Sequence, residues 1–353
     1  MSIDVAADRL SGGDRIGYID ALRGFTMFLV VFWHVECVTY GIEAYNGVIN
    51  SILMSFRMPT FFFISGYIAY KAVERWNVSF YAKNLRKKAL VQLLPTAVFY
   101  LILRTFRGDN PLQFLNTGFD EYWFTIVLFE MFLLYFTLSL IGCYTSDKVV
   151  DCGLVVLSII CAFLVGVKGQ WLTTLEIIEL VKYFQFFAFG ILCHKYSRLF
   201  MSCIKNNGFR TIVILTFVGC LLLNFNKDFK HAMPLTYIVV CGTIVRYAGL
   251  LFVFTFFMSK EAFFATGAKL SRVMRFVGRR TLDIYMLHYF FIPDIRSHSL
   301  QYLSPFIDPE SMAITRFAVS FTVAAIIVAA CLFVSEALRT SPLLAHYLFG
   351  AKR

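Results

Sequence analysis

YIDALRGFTMFLVVFWH, Tyr18 to His34, reads as the start of a membrane-spanning helix, yet it carries an arginine and a histidine. Arg23 and His34 are eleven residues apart. At 100° per residue the helix returns to within about 20° of the same face, so the guanidinium and imidazole line up roughly 16 Å apart along it. Ionisable side chains are costly in hydrocarbon, and two on one stripe point to a polar, functional interior.

The rest of the chain agrees with a membrane setting. Of 353 residues, 59% are hydrophobic and 18% aromatic, with a mean hydropathy of +0.69, too apolar for a soluble domain. The polar opening stretch carries Asp4, Asp8 and Asp14, unlike the basic start of a signal peptide, so no removed targeting segment is expected. The nine cysteines are scattered with no CxxC pair and read as small buried hydrophobes rather than metal ligands or disulfides. The net charge of +11 could suit nucleic acid, but its distribution follows membrane topology and no nucleic-acid partner is expected.

Apolar runs long enough to cross a bilayer fall at about 24–41, 47–70, 88–104, 122–143, 149–167, 175–193, 211–225, 235–258, 276–293 and 313–335. The expected fold is therefore all-α, a polytopic membrane helix bundle of about ten transmembrane helices. Loops 71–87, 194–210 and 259–275 collect Lys71, Arg75, Lys83, Arg86, Lys87, Lys195, Arg198, Lys205, Arg210, Lys260, Lys269, Arg272 and Arg275, whereas the alternate loops hold few cations. This bias places both termini in the cytoplasm. One transmembrane domain, 18–338, is expected between a cytoplasmic N-terminal segment, 1–17, and a cytoplasmic tail, 339–353. The sequon at Asn77 falls in an inside loop and carries no weight for glycosylation.

Several side chains in the spans can carry chemistry. His34 can pack against neighbours, bind a metal or act as a base; no His, Asp or Glu lies at i+3 or i+4 to share a metal, and Glu36 is rotated by about 200°. A neutral imidazole can take a proton from a hydroxyl attacking a thioester or accept the acyl group itself. Arg23 is either an interfacial anchor, paired with Asp20, or an anion ligand. Arg57 lies deep in FRMPTFFFISGY, Phe56 to Tyr67, followed by Pro59, which removes a helix hydrogen bond; Ser65 and Gly66 let a neighbouring helix approach. Glu130 lies in the middle of a span and needs a cation such as Arg57 or Arg246, or a polar cavity. Trp123 reads as an aromatic-belt residue, and Glu176, Glu179 and Lys182 as pairing among themselves. Arg86, Lys87 and Lys88 form either a solvated, topology-setting run or a clamp for a nucleotide's phosphates. Asp283, Tyr285 and His288 sit in GRRTLDIYMLH, Gly278 to His288, where His288 lines a cavity or packs structurally.

These segments together resemble the acyltransferase-3 family of bacterial membrane proteins, which O-acylate surface glycans, peptidoglycan and related acceptors. The likeness covers nearly the whole chain. Its D-x-L-R-G opening with a later His is matched by Asp20, Leu22, Arg23, Gly24 and His34. Its M-P-x-F-F-F-x-S-G-Y span is matched by Met58, Pro59, Phe61 to Phe63, Ser65, Gly66 and Tyr67. A W-F pair follows at Trp123 and Phe124, then a G-x-x-[ST]-x-x-I-Y-x-x-H segment at Gly278, Thr281, Ile284, Tyr285 and His288. The resemblance implies catalytic roles for Arg23 and His34. This chain departs from the family's R-x-x-R-type motif before the third-span proline: Gln92 stands three residues before Pro95, and the basic residues come earlier, at Arg86 to Lys88. Some members are fused to an extracytoplasmic hydrolase-like domain, for which no room is expected after Arg353.

The expected activity is transfer of an acyl group, acetyl foremost, from cytoplasmic acyl-CoA to a hydroxyl of a cell-envelope glycan, lipid-linked sugar or glycolipid, by a multi-pass protein of the inner (plasma) membrane. Acyl-CoA is a donor substrate, acetyl-CoA foremost, and no bound cofactor or metal is expected. Its phosphates would dock on Arg23, Arg86, Lys87 and Lys88, and its thioester would reach His34. Arg57, Ser65, Glu130, Tyr285 and His288 are the expected substrate-binding residues, with Ser65, Arg57 or Tyr285 serving the oxyanion. The competing reading is a transporter or flippase of a glycan precursor or acyl group, because buried charges and a kinked span also serve permeation.

Overall fold

The computed structural model describes residues 16–40, 48–71, 76–165, 176–225, 235–292 and 313–350. Every regular element among them is helical. The long helices are α1 (Gly17–Tyr40), α2 (Val48–Ala69), α3 (Val78–Arg107), α5 (Trp123–Tyr144), α6 (Asp147–Leu164), α7 (Ile177–Lys195), α9 (Asn207–Phe225), α10 (Leu235–Ser259) and α14 (Ala313–Arg339). Shorter helices are α4 (Phe114–Thr117), α8 (Ser197–Lys205), α11 (Glu261–Ala265), α12 (Lys269–Arg279), α13 (Thr281–Leu287) and α15 (Pro342–Phe349), with 3₁₀ turns at Asp120–Tyr122 and His288–Phe290.

Seven of these helices are long and apolar enough to cross a membrane, and an eighth span results if α8 and the first part of α9, bent by 77°, count as one. The expected segment at 149–167 is helical up to Leu164 as α6, with 166–167 outside the described residues, but Asp147, Lys148 and Asp151 crowd its first turns and it is not among the seven. The expected span at 276–293 is broken. Helix α12 ends at Arg279, where the Arg280 amide closes on the carbonyls of Phe276 and Val277, and α13 and a 3₁₀ turn follow. The third span is longer than its apolar run suggested. Asn77 accepts a hydrogen bond from the Phe80 amide at 2.8 Å and starts α3 ahead of the basic run, so Lys83 to Lys88 ride on a helix instead of in a loop. Gly108, at φ 75°, ends it in the left-handed conformation that glycine adopts without steric cost. The expected loop 294–312, the N-terminal segment and the cations Arg75 and Arg296 lie outside the described residues.

The chain divides into two compact units. The first comprises Met1–Phe61, Tyr196–Ile284 and Phe291–Leu332; the second comprises Phe62–Lys195, Tyr285–Phe290 and Phe333–Arg353.

In the first unit α12 lies against α1 at backbone distance. A Cβ on Gly24 would stand 2.1 Å from the Met274 carbonyl oxygen, and one on Gly278 would stand 1.7 Å from that of Asp20. Only hydrogen fits at either point, which is how small residues let helices close on one another without a hydrophobic driving force. Phe25 on Phe257, Phe28 on Phe321 and Phe32 on Phe317 pack α10 and α14 around the same helix. Gly278→Ala is therefore expected to destabilise the protein by about 1–3 kcal/mol or more. A melting temperature in detergent equal to that of wild type would show that α12 can move away freely.

The second unit is built on an antiparallel pair, α3 and α5. Arg104 meets Glu121 at one end, Thr96 meets Thr125 at 2.6 Å further along, the Lys88 ammonium lies 3.4 Å from the Phe132 ring centroid, and Tyr81 reaches Thr137. Gly66 of α2 and Gly190 of α7 pack against the carbonyls of Phe187 and Phe63, where added Cβ atoms would stand at 2.0 and 2.1 Å. This close approach bears out the packing reading of Gly66.

Candidate functional site

In the first unit Arg23 and His34 share α1, as their spacing requires. Arg23 Nη2 donates to Thr281 Oγ1 at 2.8 Å, tying the guanidinium to the first residue of α13. His34 Nδ1 lies 2.9 Å from the Val30 carbonyl oxygen. A carbonyl only accepts, so Nδ1 carries the proton, and in the neutral ring Nε2 then holds the basic lone pair. The His34 ring stands edge-on to Trp33 at 4.8 Å, and the buried Arg57 guanidinium lies 4.4 Å from the Trp33 ring centroid. Trp33 thus touches Arg57 and, edge-on, His34, so a cation sits one ring away from the imidazole.

On the far face of α1, Glu36 is 4% exposed. Its Oε2 accepts from Arg316 Nε and Nη2, both at 3.2 Å, and from Asn50 Nδ2 at 3.5 Å, while Ser320 donates to Oε1. The sequence reading noted only that Glu36 faces away from His34. A carboxylate inside a span demands a counter-ion, but nothing local pointed to Arg316, 280 residues on.

The remaining expected site residues belong to the second unit. Ser65 is half-buried beside Gly66. Tyr285 donates its hydroxyl proton to the Glu121 carbonyl at 2.8 Å and accepts from the Phe124 amide at 3.2 Å, so it pins the start of α5 and has no proton left for an oxyanion while those bonds stand. His288 is fully buried, with Nδ1 2.8 Å from the Tyr285 carbonyl. Arg86 and Lys87 are exposed, and Lys88 is turned onto Phe132. Glu130 is half-buried, and its Oε2 has no hydrogen-bond partner among the described residues.

One functional-looking feature escaped the sequence reading. Glu179 pairs with Lys182 at 3.3 Å as expected, but Glu176 does not join them. It sits just ahead of the span that begins at Ile177, at φ 53°, and its carboxylate accepts from the Phe119 amide at 2.8 Å. The neighbouring Asp120 is also left-handed, at φ 40°. Non-glycine residues in that region store strain that only a well-determined surrounding maintains. Arg104 supplies that surrounding, bonded to Asp109, Asp120 and Glu121 at 2.8–3.0 Å.

Burial raises the Glu176 carboxyl from its ordinary 4.5 to about 7, opposed by the Phe119 amide and helped by the charges of Glu179 and Asp120. Below pH 4.5 both folded and unfolded chains hold this proton. Between 4.5 and 7 only the folded chain keeps it, so stability falls as pH rises through that window and stays lowered above it. Glu176→Gln keeps an acceptor for Phe119 without the ionisation and is expected to gain up to about 3 kcal/mol over wild type at pH 8, and nothing at pH 4. Equal melting curves at both pH values would remove ionisation at this position from the account.

Among the described residues no group of three or more His, Cys, Asp or Glu side chains is placed to hold a metal ion. The family described as "Acyltransferase domain" matches residues 16–335. No match was found among curated proteins or among solved structures.

Proposed function

Because the chain belongs to the acyltransferase-3 family over nearly its whole length, we propose that this membrane acyltransferase moves an acyl group, acetyl foremost, from cytoplasmic acyl-CoA to a hydroxyl of a cell-envelope glycan or glycolipid. It does so as a multi-pass protein of the inner membrane with both termini inside. The observation that carries the reading is the His34 ring held by the Val30 carbonyl, with Arg23 anchored on the same face of α1.

His34 Nε2 takes the proton of the acceptor hydroxyl as its oxygen attacks the thioester carbonyl. The carbon–oxygen bond forms, the tetrahedral intermediate collapses, the carbon–sulfur bond breaks, and the departing thiolate takes the proton back from the imidazolium. Arg57, a buried cation one ring from His34, is the oxyanion's electrostatic partner in this scheme. Arg23 binds a phosphate of the donor. The pantetheine arm spans the roughly 16 Å between Arg23 and His34 set by the helix rise.

Membranes carrying wild-type protein, His34→Ala or empty vector, incubated with radiolabelled acetyl-CoA, test this. Label entering envelope glycan with wild type alone supports it. No label above vector with acetyl-CoA, succinyl-CoA or longer donors would reject it.

A further inference from the structure

Between Glu261 and Asp283 the chain carries five cations, Lys269, Arg272, Arg275, Arg279 and Arg280, and no acidic residue. The first four lie on α12, where like charges three and four residues apart repel one another. Arg275 and Arg280 are engaged within the unit. Arg275 Nη2 donates to the Thr266 carbonyl at 3.0 Å and fastens α12 to the turn after α11, while the Arg280 guanidinium lies 5.7 Å from the Phe276 ring centroid. Lys269, Arg272 and Arg279 are exposed and have no ion pair or side-chain hydrogen bond among the described residues. At 100° per residue these three fall within an arc of about 80° on the helix.

An apolar strip borders this arc. Leu270 and Val273 lie about 60° apart, with Val273 about 40° from Lys269, and they are 61% and 57% exposed. The remaining side of α12 is buried: Gly278 lies on the Asp20 backbone, and Ser271 donates to the Phe264 carbonyl at 3.1 Å. Two spans set the depth of this helix. It meets α1 at Asp20 and Gly24, in the first turns of the span that begins at Gly17, and the span of α10 ends at Ser259, shortly before Lys269. Helix α12 therefore lies at the membrane boundary. A topology-setting charge run accounts for the cations but not for two aliphatic side chains held out beside them. A basic helix with an exposed apolar edge matches a surface of anionic headgroups above acyl chains.

We propose that α12 is a binding site for anionic phospholipid headgroups, with Lys269, Arg272 and Arg279 on the phosphates and Leu270 and Val273 entering the acyl region. Gly278 is locked to the Asp20 backbone, and Thr281, just beyond α12, bonds Arg23, so a lipid held there steadies the segment that orients Arg23. Lipid binding at α12 is independent of acyl transfer and is measured without donor or acceptor.

The full chain in phosphatidylcholine nanodiscs, doped with a trace of photoreactive phosphatidylglycerol or photoreactive phosphatidylcholine, gives the test, with crosslinks mapped by mass spectrometry. Segment 269–280 is expected to take up phosphatidylglycerol roughly tenfold or more over phosphatidylcholine, since each cation near an anionic headgroup adds about fivefold. Joint Lys269→Gln, Arg272→Gln and Arg279→Gln should abolish that preference while labelling of α10 stays as in wild type, the sign that the fold persists. Arg272→Lys with Arg279→Lys should keep it, because a point charge suffices for a headgroup phosphate. Added salt should weaken the wild-type preference, which probes the charges with no substitution at all. Equal labelling by the two lipids, a preference indifferent to salt, or one that survives the triple replacement in a folded protein overturns the site. Competition by inorganic phosphate that chloride at equal ionic strength does not reproduce would make these cations a seat for a free phosphate and overturn the lipid assignment.

Discussion

Replacing His34 with alanine is expected to lower acyl transfer by about 10²- to 10⁴-fold at unchanged protein level, the range a positioned general base contributes. The magnitude follows from how the ring is held. Its Nδ1 proton goes to the Val30 carbonyl within the same helix, so the tautomer is fixed by the backbone and persists whatever occupies the site. The alanine variant keeps α1 intact, because alanine is the best helix former and the histidine is only half-buried. Two further readouts separate a base from a packing residue. Exogenous imidazole should restore part of the rate to His34→Ala. His34→Gln, similar in size but unable to exchange a proton near neutrality, should be as inactive as alanine. Full activity in His34→Gln would move the chemistry elsewhere. Movement of a glycan precursor or acyl group that persists in His34→Ala, with no acylated product in wild type, would give the competing transporter reading the lead.

The parts of this protein legible in its sequence are those governed by local periodicity. The first helix, its charged stripe and the tight approach at Gly66 follow from residue spacing and size. The parts that were not legible depend on partners far along the chain or on a terminus outweighing composition. Lys83 to Lys88 look like a loop by charge, yet the Asn77 cap puts them on α3; the same Asn that forms a sequon is the helix start. The apolar run at 276–293 looks continuous, yet Gly278 is drawn onto the Asp20 backbone and the helix ends one residue later. Trp123 carries the composition of a membrane-interface residue, and only the position of α7 turns it into one layer of a stack. Arg23 and His34 were readable because both sit on one helix. The Glu36 network was not, because its second half enters at α14.

That network carries the second large effect. Glu36→Ala is expected to destabilise the protein by about 3–5 kcal/mol, because it breaks the buried Arg316–Glu36 pair by removing one partner. The Arg316 side chain is 17% exposed and that of Glu36 is 5% exposed, so water screens little of the pair. Ser320 and Asn50 lose their acceptor in the same step. Replacing Glu36 and Arg316 together by methionine should recover most of the loss, since two matched apolar side chains avoid the cost of holding two ions out of water. Buried thiols report the outcome directly: Cys241 and Cys331 are buried in the same unit and become reactive only when it opens. Their labelling on heating should begin at a much lower temperature in Glu36→Ala and return toward the wild-type value in the double variant. A double variant no more stable than the single would mean that the pair fixes the roll of α1 through its geometry and not only through charge balance. Activity then discriminates: Glu36 lies about 200° around the helix from His34, so a misrolled α1 turns the imidazole away, and a stable double variant that transfers no acyl group would locate the loss there.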